Sequence, residues 1–300
     1  MKAQMKADIL LLIYSLIMGI TGIVLKFATQ ELDIFNFIAL RFALAFFVSF
    51  VSLGKHCILK LNRQSIKHSV LLGIVTYMAH VTCTAGIASA PVSIAGFLTS
   101  LQTIMVPVLA FLFMGRRYKL RTILCICGGF FSILLLTADG SFQYSAGIWI
   151  CLSSSALAGA QILLIEKYLA SGDDPVVLTV VPLGVMALCA LLVAVPVSGL
   201  ALPEKLSGWF CIFWTGIVST AIASYIQALA QRYTSAVNTG IIFASIPVFT
   251  MVGGWLVFKE SITVRALIGA VVLIGSIVIM ELGSSEKVKF EEHNTDTQTY

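Results

Sequence analysis

Ten long apolar runs limit what this chain can fold into. A helix needs about 20 mainly apolar residues to cross a bilayer core of about 30 Å. With soft edges, the runs are Ile9–Phe27, Ile34–Leu53, Ser69–Ala88, Ser93–Gly115, Thr122–Thr137, Ala146–Ile165, Pro175–Val197, Trp209–Ala230, Val237–Phe258 and Val264–Met280. The sequence therefore predicts an all-α membrane protein with ten transmembrane helices, numbered here as spans in chain order.

The composition agrees with a lipid environment. Of the 300 residues, 59% are hydrophobic and 11% are charged, whereas a soluble domain carries about 25% charged residues. A soluble fold of this length could not hide that much apolar surface from water, so we expect a multi-pass protein of the cell membrane. The net charge of +5 is too small and too scattered to indicate a nucleic-acid partner.

Lysine and arginine are distributed unequally between the two sides of the predicted bundle. With the N-terminus inside, the inner segments hold 14 of these residues and the outer connections hold four. Loops rich in Lys and Arg stay in the cytoplasm. The sequence therefore predicts cytoplasmic N- and C-termini, with residues 283–300 as a polar cytoplasmic tail.

Two prolines indicate an internal repeat. Pro107 and Pro247 lie 140 residues apart, each within the fourth span of a set of five, and charged residues and a fifth span follow each. Because five is odd, the second set must start on the opposite side of the membrane. The chain is therefore predicted to form two inverted five-helix units, 8–137 and 146–282, an arrangement that many secondary transporters use.

Polar residues form stripes along several spans. In the third and eighth spans they recur at intervals of four, three and four, so each set shares one helix face. These sets are Gly73, Tyr77, His80 and Thr84, and Thr220, Ser224, Gln227 and Gln231. Spans 1, 4, 6 and 9 add Tyr14, Thr21, Thr99, Gln102, Gln161, Asn238 and Ser245. Because such stripes face protein or water rather than lipid, we expect them to line a central solute cavity.

Each of these side chains has a competing interpretation as part of a hydrogen bond between helices. As a set, the neutral donors and acceptors suit a polar or zwitterionic solute, such as an amino acid or a nucleobase-like metabolite. His80 lies deep in its span, where an imidazole can exchange a proton near physiological pH.

Two cations lie in or at the end of a predicted span. Arg41 lies inside the second span and Lys26 at the outer end of the first. Either is a candidate to bind an anionic group of a solute or to take part in coupling. The alternatives are that they reach the headgroups or pair with Glu31 or Asp33 in the outer turn.

The segment "SAVNTGIIFASIPVFTMVGGWLVFKESITVRALIGAVVLIGSIVIMEL" resembles the closing half of an EamA-type unit of the drug/metabolite transporter superfamily. The matching residues are Pro247, Glu260 thirteen positions later and Gly269 nine beyond that. In the first half, around Pro107, the pair Arg116–Arg117 takes the place of the glutamate, as in one branch of that family.

The first two spans carry further resemblance. Lys26 and the pair Arg41–Phe42 match the family's usual positions, whereas the tryptophan common in the first span of relatives is missing near Gly19. The resemblance covers about residues 8–282. It implies ten helices, with a cavity lined mainly by spans 1, 3, 4, 6, 8 and 9 and with spans 5 and 10 at the periphery.

These observations favour a secondary transporter that moves a small organic solute by alternating access, with export favoured through the family. The alternatives are a membrane-embedded enzyme and a membrane scaffold. The sequence contains no H-E-x-x-H, G-x-S-x-G or Walker A motif, which argues against metalloprotease, hydrolase and ATP-driven pump. We expect no cofactor and no metal. The expected partners are the solute and the bilayer, and a homodimer is left open.

Overall fold

The computed structural model is helical throughout the part of the chain that it describes. That part comprises residues 2–89, 101–116, 120–137, 146–199, 201–258, 264–265, 267–269, 271–272, 275–276 and 279. The helices are α1 (Lys2–Glu31), α2 (Ile34–Lys60), α3 (Arg63–Ser89), α4 (Gln102–Met114), α5 (Leu120–Thr137), α6 (Ala146–Ala170), α7 (Val177–Ser198), α8 (Leu206–Phe213), a π-helix (Trp214–Ile222), α9 (Ala223–Gln231), α10 (Ala236–Phe243) and α11 (Ile246–Phe258).

Helices α1 to α7 correspond to the first seven predicted spans. The eighth span is α8, the π-helix and α9 in succession, and the ninth is α10 followed by α11. Within the described residues, six helical stretches are long and apolar enough to cross a membrane, and 102–114 and 236–250 are shorter apolar helices. The protein is therefore a multi-pass membrane protein, while the count of ten spans and the side of the termini stay predictions.

Short polar turns make neighbouring helices antiparallel. The carboxylate of Asp33 accepts hydrogen bonds from the backbone N–H groups of Phe35 and Asn36, both at 3.1 Å, and so caps α2. The side chain of Asn62 accepts from the backbone N–H of Ser65 at 2.7 Å at the start of α3. These caps satisfy N–H groups that a helix end leaves unpaired.

Two apolar clusters mark the two ends of the bundle. One joins residues from the start of α1, the end of α4 and the start of α10, including Ala7, Ala110 and Ala236. We call this the basic end, because Lys60, Arg63 and Lys67, on either side of the α2–α3 turn, lie there too. The other cluster joins the end of α1 to the start of α2, including Ala28 and Phe37, and marks the opposite end.

The two predicted repeats exchange their first helices. Helix α1 packs against the eighth and ninth spans, and α6 packs against α3 and α4, while α2 packs against α7. We therefore distinguish a first body, made of α3, α4 and α6, from a second body, made of α1 with the eighth and ninth spans. Each body contains helices of both predicted repeats.

Two glycines 140 residues apart allow these close crossings. A Cβ added at Gly19 would lie 2.5 Å from the Cβ of Phe249, just after Pro247. A Cβ added at Gly159 would lie 3.0 Å from the Cβ of Met105, just before Pro107. Small residues at such crossings let membrane helices approach closely, so the equivalent helix of each repeat crosses a proline-bearing span of the other.

The ninth span is broken, and the expectation of one continuous helix over Val237–Phe258 is wrong. Helix α10 ends at Phe243, four residues before Pro247. Proline has no N–H to donate, and its ring clashes with the carbonyl four residues earlier. The hydroxyls of Ser245 and Ser15 donate to the carbonyl of Ile242 at 2.7 and 3.3 Å, which also accepts from the backbone N–H of Ser245 at 3.0 Å.

The close crossing of α1 and α11 predicts different effects for two alanine substitutions on α1. Gly19→Ala should lower the free energy of unfolding by about 1–3 kcal/mol, because the new methyl overpacks against Phe249. Gly22→Ala should be neutral or stabilising, because its Cβ would meet the Thr250 side chain at an ordinary 3.7 Å. Thermal unfolding in detergent measures both, and equal melting temperatures for the two variants would contradict the crossing.

Candidate functional site

Arg41 is the most deeply buried charge among the described residues. Its side chain lies on α2 and the residue is 2% exposed. The guanidinium Nε donates to the hydroxyl of Thr220 at 2.8 Å, and Nη2 donates to that of Ser219 at 3.3 Å. The guanidinium carbon also lies 5.5 Å from the ring centroid of Phe42, at cation–π distance. Arg41 therefore binds the eighth span, while the Asp33 carboxylate caps α2.

The two hydroxyls that accept hydrogen bonds from Arg41 belong to the π-helix of the eighth span. The hydroxyl of Thr220 donates to the carbonyl of Thr215, five residues earlier, at 2.6 Å. At Gly216 the π-helix approaches α2 so closely that an added Cβ would lie 3.0 Å from the Arg41 carbonyl oxygen. π-Helical turns are rare and frequently lie at functional sites. The wide turn presents Ser219 and Thr220 together toward Arg41.

Three further polar side chains surround the guanidinium. Tyr14 of α1 and His80 and Cys83 of α3 lie within electrostatic reach of Arg41. The His80 ring packs edge-on against Phe42, with ring centroids 5.5 Å apart. Side chains from α1, α2, α3 and the eighth span thus converge on one buried region, which we call the Arg41 site.

An aromatic pair and an indole hydrogen bond border this region on the second body. Tyr14 stacks on Phe243, the last residue of α10, with ring centroids 4.3 Å apart. The indole Nε1 of Trp214 donates to the hydroxyl of Thr21 at 3.2 Å. These contacts fix Tyr14 and Thr21, two predicted cavity residues, against the ninth and eighth spans.

A ladder of glutamines joins the two bodies between the Arg41 site and the basic end. Gln161 of α6 donates to the side chain of Gln227 at 3.4 Å, and Gln227 donates to Gln231 at 3.3 Å. Gln231 in turn donates to the backbone carbonyl of Ile162 on α6 at 3.1 Å. Gln227 and Gln231 of the predicted stripe therefore face the other body rather than lipid.

Glu166 closes the basic end. Its Oε2 forms an ion pair with Nη1 of Arg116 at 2.7 Å, and its Oε1 accepts from the backbone N–H of Ala236 at 3.2 Å. The second contact caps the first turn of α10, where a carboxylate is favoured. A single side chain of α6 thus connects the end of α4 to the start of the ninth span.

Two histidine–aspartate pairs fix the α6–α7 connection at the same end. Nδ1 of His68 lies 2.7 Å from Oδ2 of Asp173, and its ring stacks on Tyr168 at 4.1 Å. Nε2 of His56 lies 3.6 Å from Oδ2 of Asp174. These pairs bind α2 and α3 to the α6–α7 connection.

The other predicted site residues lie at defined places. Thr84 is buried and donates to the carbonyl of His80 at 2.8 Å, and Tyr77 packs edge-on against Phe42. Gln102 and Ser224 are half-buried, whereas Asn238, Ser245, Pro107 and Gly269 are buried and Pro247 is half-buried. Thr99, Glu260, the side chain of Lys26 and the predicted tail 283–300 lie outside the described residues.

Several residues that build the site were missed from the sequence. Ser219 and Trp214 lie in the π-helix, so regular helical spacing does not place them beside Thr220 and Thr21. The Arg116–Glu166 ion pair joins two spans, and the signal for it in the sequence is the opposite charge of two residues at the same predicted side. No group of three or more His, Cys, Asp or Glu side chains that could hold a metal occurs in the described part of the chain.

Comparison with known proteins gives consistent matches. The EamA-like transporter family matches residues 5–138 and 145–282. An uncharacterized transporter of Archaeoglobus fulgidus is 22% identical over 281 residues, covering 93% of this chain and 87% of the relative. A protein known from a crystal structure shares the fold with a TM-score of 0.75 at 16% identity, covering 92% of this chain and 96% of that one.

The glutamine ladder predicts a stability difference between two substitutions on α9. Gln227→Leu should lower the free energy of unfolding by about 1 kcal/mol, because it removes two hydrogen bonds that average about 0.6 kcal/mol each inside membranes. Tyr225→Phe is the matched control, since its hydroxyl has no hydrogen bond to a described residue. Unfolding in detergent measures both, and a Gln227→Leu protein as stable as the control would count against the ladder.

Proposed function

The chain belongs to the EamA-like transporter family, and from that premise we propose that it is a secondary transporter of a small organic solute in the cell membrane. Both the family and the relative point to a transporter rather than an enzyme. The solute that we propose is an amino acid or a related polar metabolite, and the direction that we propose is export. The neutral donors and acceptors around Arg41 support a polar solute.

The contacts that join the two bodies are the main support for this proposal. The glutamine ladder, the Glu166–Ala236 contact and a hydrogen bond from Thr103 to the carbonyl of Gly240 at 2.9 Å all connect the first body to the second. Each lies between the middle of the bundle and the basic end. Loss of this set would open a path from the Arg41 site to that end.

The strength of these contacts suits a reversible closure. Side-chain hydrogen bonds between membrane helices contribute about 0.6 kcal/mol each on average. A few such bonds stabilise the closed state over an open state by a few kcal/mol. A solute that binds one state more tightly can shift the populations of the two states by that much. We therefore propose alternating access in which the two bodies, rather than the two sequence repeats, rock around the Arg41 site.

The proposed topology places ten spans in the membrane with both termini in the cytoplasm. The excess of lysine and arginine at the basic end supports a cytoplasmic position for that end. The closed contacts then separate the Arg41 site from the cytoplasm. Export requires these contacts to open for loading and to close before release.

Transport is tested by comparing the culture medium of cells that overproduce the protein with that of cells lacking it. We expect at least one small polar metabolite to accumulate faster with the protein, and the pure protein in lipid vesicles to move the same metabolite. If vesicles transport no member of a broad metabolite panel that includes amino acids, the transporter proposal fails.

The cap on α10 predicts a local effect of Glu166. Glu166→Ala should speed amide hydrogen exchange over residues 236–243 about fivefold, because loss of a helix cap costs about 1 kcal/mol. Glu166→Gln should have a smaller effect, since an amide oxygen still accepts from Ala236. Glu204→Ala, at an exposed position of the opposite end, is the control. Unchanged exchange in Glu166→Ala would show that Glu166 does not hold this closure.

A further inference from the structure

Arg41 is deeply buried, yet the groups around it compensate its positive charge only in part. Moving an ionised group out of water costs several kcal/mol unless an opposite charge and hydrogen bonds replace the water. The described partners of Arg41 are two neutral hydroxyls and one aromatic ring. These satisfy some of its N–H groups but supply no negative charge.

The acidic side chains with described partners are committed elsewhere. Asp33 caps α2, Glu166 pairs with Arg116, and Asp173 and Asp174 pair with histidines. Within the described ranges the structure records no carboxylate paired with Arg41. The protein thus holds a fixed positive charge in its interior without an acidic partner from these residues.

The guanidinium also retains donors for a ligand. It carries five N–H groups in a planar fork that matches a carboxylate. Its two described hydrogen bonds use Nε and one hydrogen of Nη2. Nη1 and the second hydrogen of Nη2 remain for an incoming anion, which a bidentate contact would hold at charge-assisted hydrogen-bond distance.

The position of Arg41 agrees with a solute site. It lies seven residues into α2 from the opposite end, whereas the glutamine ladder lies toward the basic end. At 1.5 Å per residue, Arg41 is roughly 10 Å deep along its helix. The described closure therefore lies between Arg41 and the basic end, and Arg41 is placed to hold a solute while that end is shut.

We propose that Arg41 binds the carboxylate of the transported solute at the Arg41 site. This inference rests on the proposed transport function and adds the chemical class of the substrate. A monoanionic group matches the single positive charge of Arg41. A dianionic phosphate would leave one negative charge unbalanced, so the proposed anionic group is a carboxylate.

Binding of a carboxylate would also connect the solute to the eighth span. The solute takes the N–H groups that Ser219 and Thr220 leave, so the guanidinium bridges the solute and the π-helix. Solute binding is thereby linked to a span in the second body. Ser219 and Thr220 orient the guanidinium and do not bind the solute.

The test compares metabolites exported by cells that produce the wild type or an Arg41 variant at equal membrane levels. We expect the solutes exported by the wild type to carry a carboxylate, and Arg41→Gln to reduce their export at least about 10-fold. Arg41→Lys, which keeps the charge but loses the fork, should give an intermediate loss. Arg232→Gln, at an exposed arginine, is the matched control and should export normally.

The neutral amides of the exported solutes separate binding from a purely structural role. If Arg41 only holds the π-helix in place through Ser219 and Thr220, the wild type should export an acid and its neutral amide alike. If Arg41 binds the solute carboxylate, the wild type should export the acid and not the amide.

Each outcome decides the proposal. Export of solutes without a carboxylate, export of phosphate esters instead, or unchanged carboxylate export by Arg41→Gln would overturn the carboxylate site and leave the transport function standing. Export of the neutral amides by the wild type as fast as the acids would also overturn it. If the wild type exports nothing and transports nothing in vesicles, the transport function fails and the site fails with it.

Discussion

Lipid offers no hydrogen bonds and little compensation for charge, and that constraint organises the polar interior of this protein. The hydroxyls of Ser15 and Ser245 turn to a carbonyl next to the break at Pro247. The glutamines of α6 and α9 pair with one another. Arg41 reaches the hydroxyls of a π-helix. Since these groups cannot face acyl chains, they meet where helices of the two repeats cross, and that is where a solute site can form.

At the basic end, an apolar cluster and a set of individually weak polar contacts join the two bodies. A charged cap on α10, a glutamine ladder and one threonine–carbonyl bond join the two bodies. None of them requires a large free energy to break. Tight glycine crossings, by contrast, hold α1 to the ninth span and α6 to α4 within each body. Tight crossings within each body and weak polar bonds between the bodies support the proposal that the two bodies move against each other.

Much of this arrangement could be predicted from the sequence. The apolar runs indicate the spans, and the stripe that contains Gln227 and Gln231 indicates a face turned away from lipid. The offset between Pro107 and Pro247 recurs between Gly19 and Gly159, which supports equivalent crossings. The apolar runs and the stripe can be recognised from the spacing of residues along one helix. The repeat can be recognised from a constant offset of 140 residues along the sequence.

Other features could not be predicted in this way, for physical reasons. The π-helix shifts the register of the eighth span, so Ser219 lies beside Thr220 toward Arg41 although regular α-helical spacing separates them. The exchange of α1 and α6 between repeats depends on tertiary packing, which no single helix records. The pairs formed by Glu166 and by the two histidines join segments that are distant in the sequence. The sequence alone does not distinguish a charged residue at a span end that forms an ion pair from one that faces solvent.

Distances between spin labels test whether the two bodies rock around the Arg41 site. One label pair at Ala170 and Tyr233 reports on the basic end, and a second at Trp149 and Leu206 reports on the opposite end. When the exported solute is added to the protein in lipid nanodiscs, we expect one distance to lengthen as the other shortens. Two distances that stay fixed, or that change in the same direction, would show that the bodies do not rock.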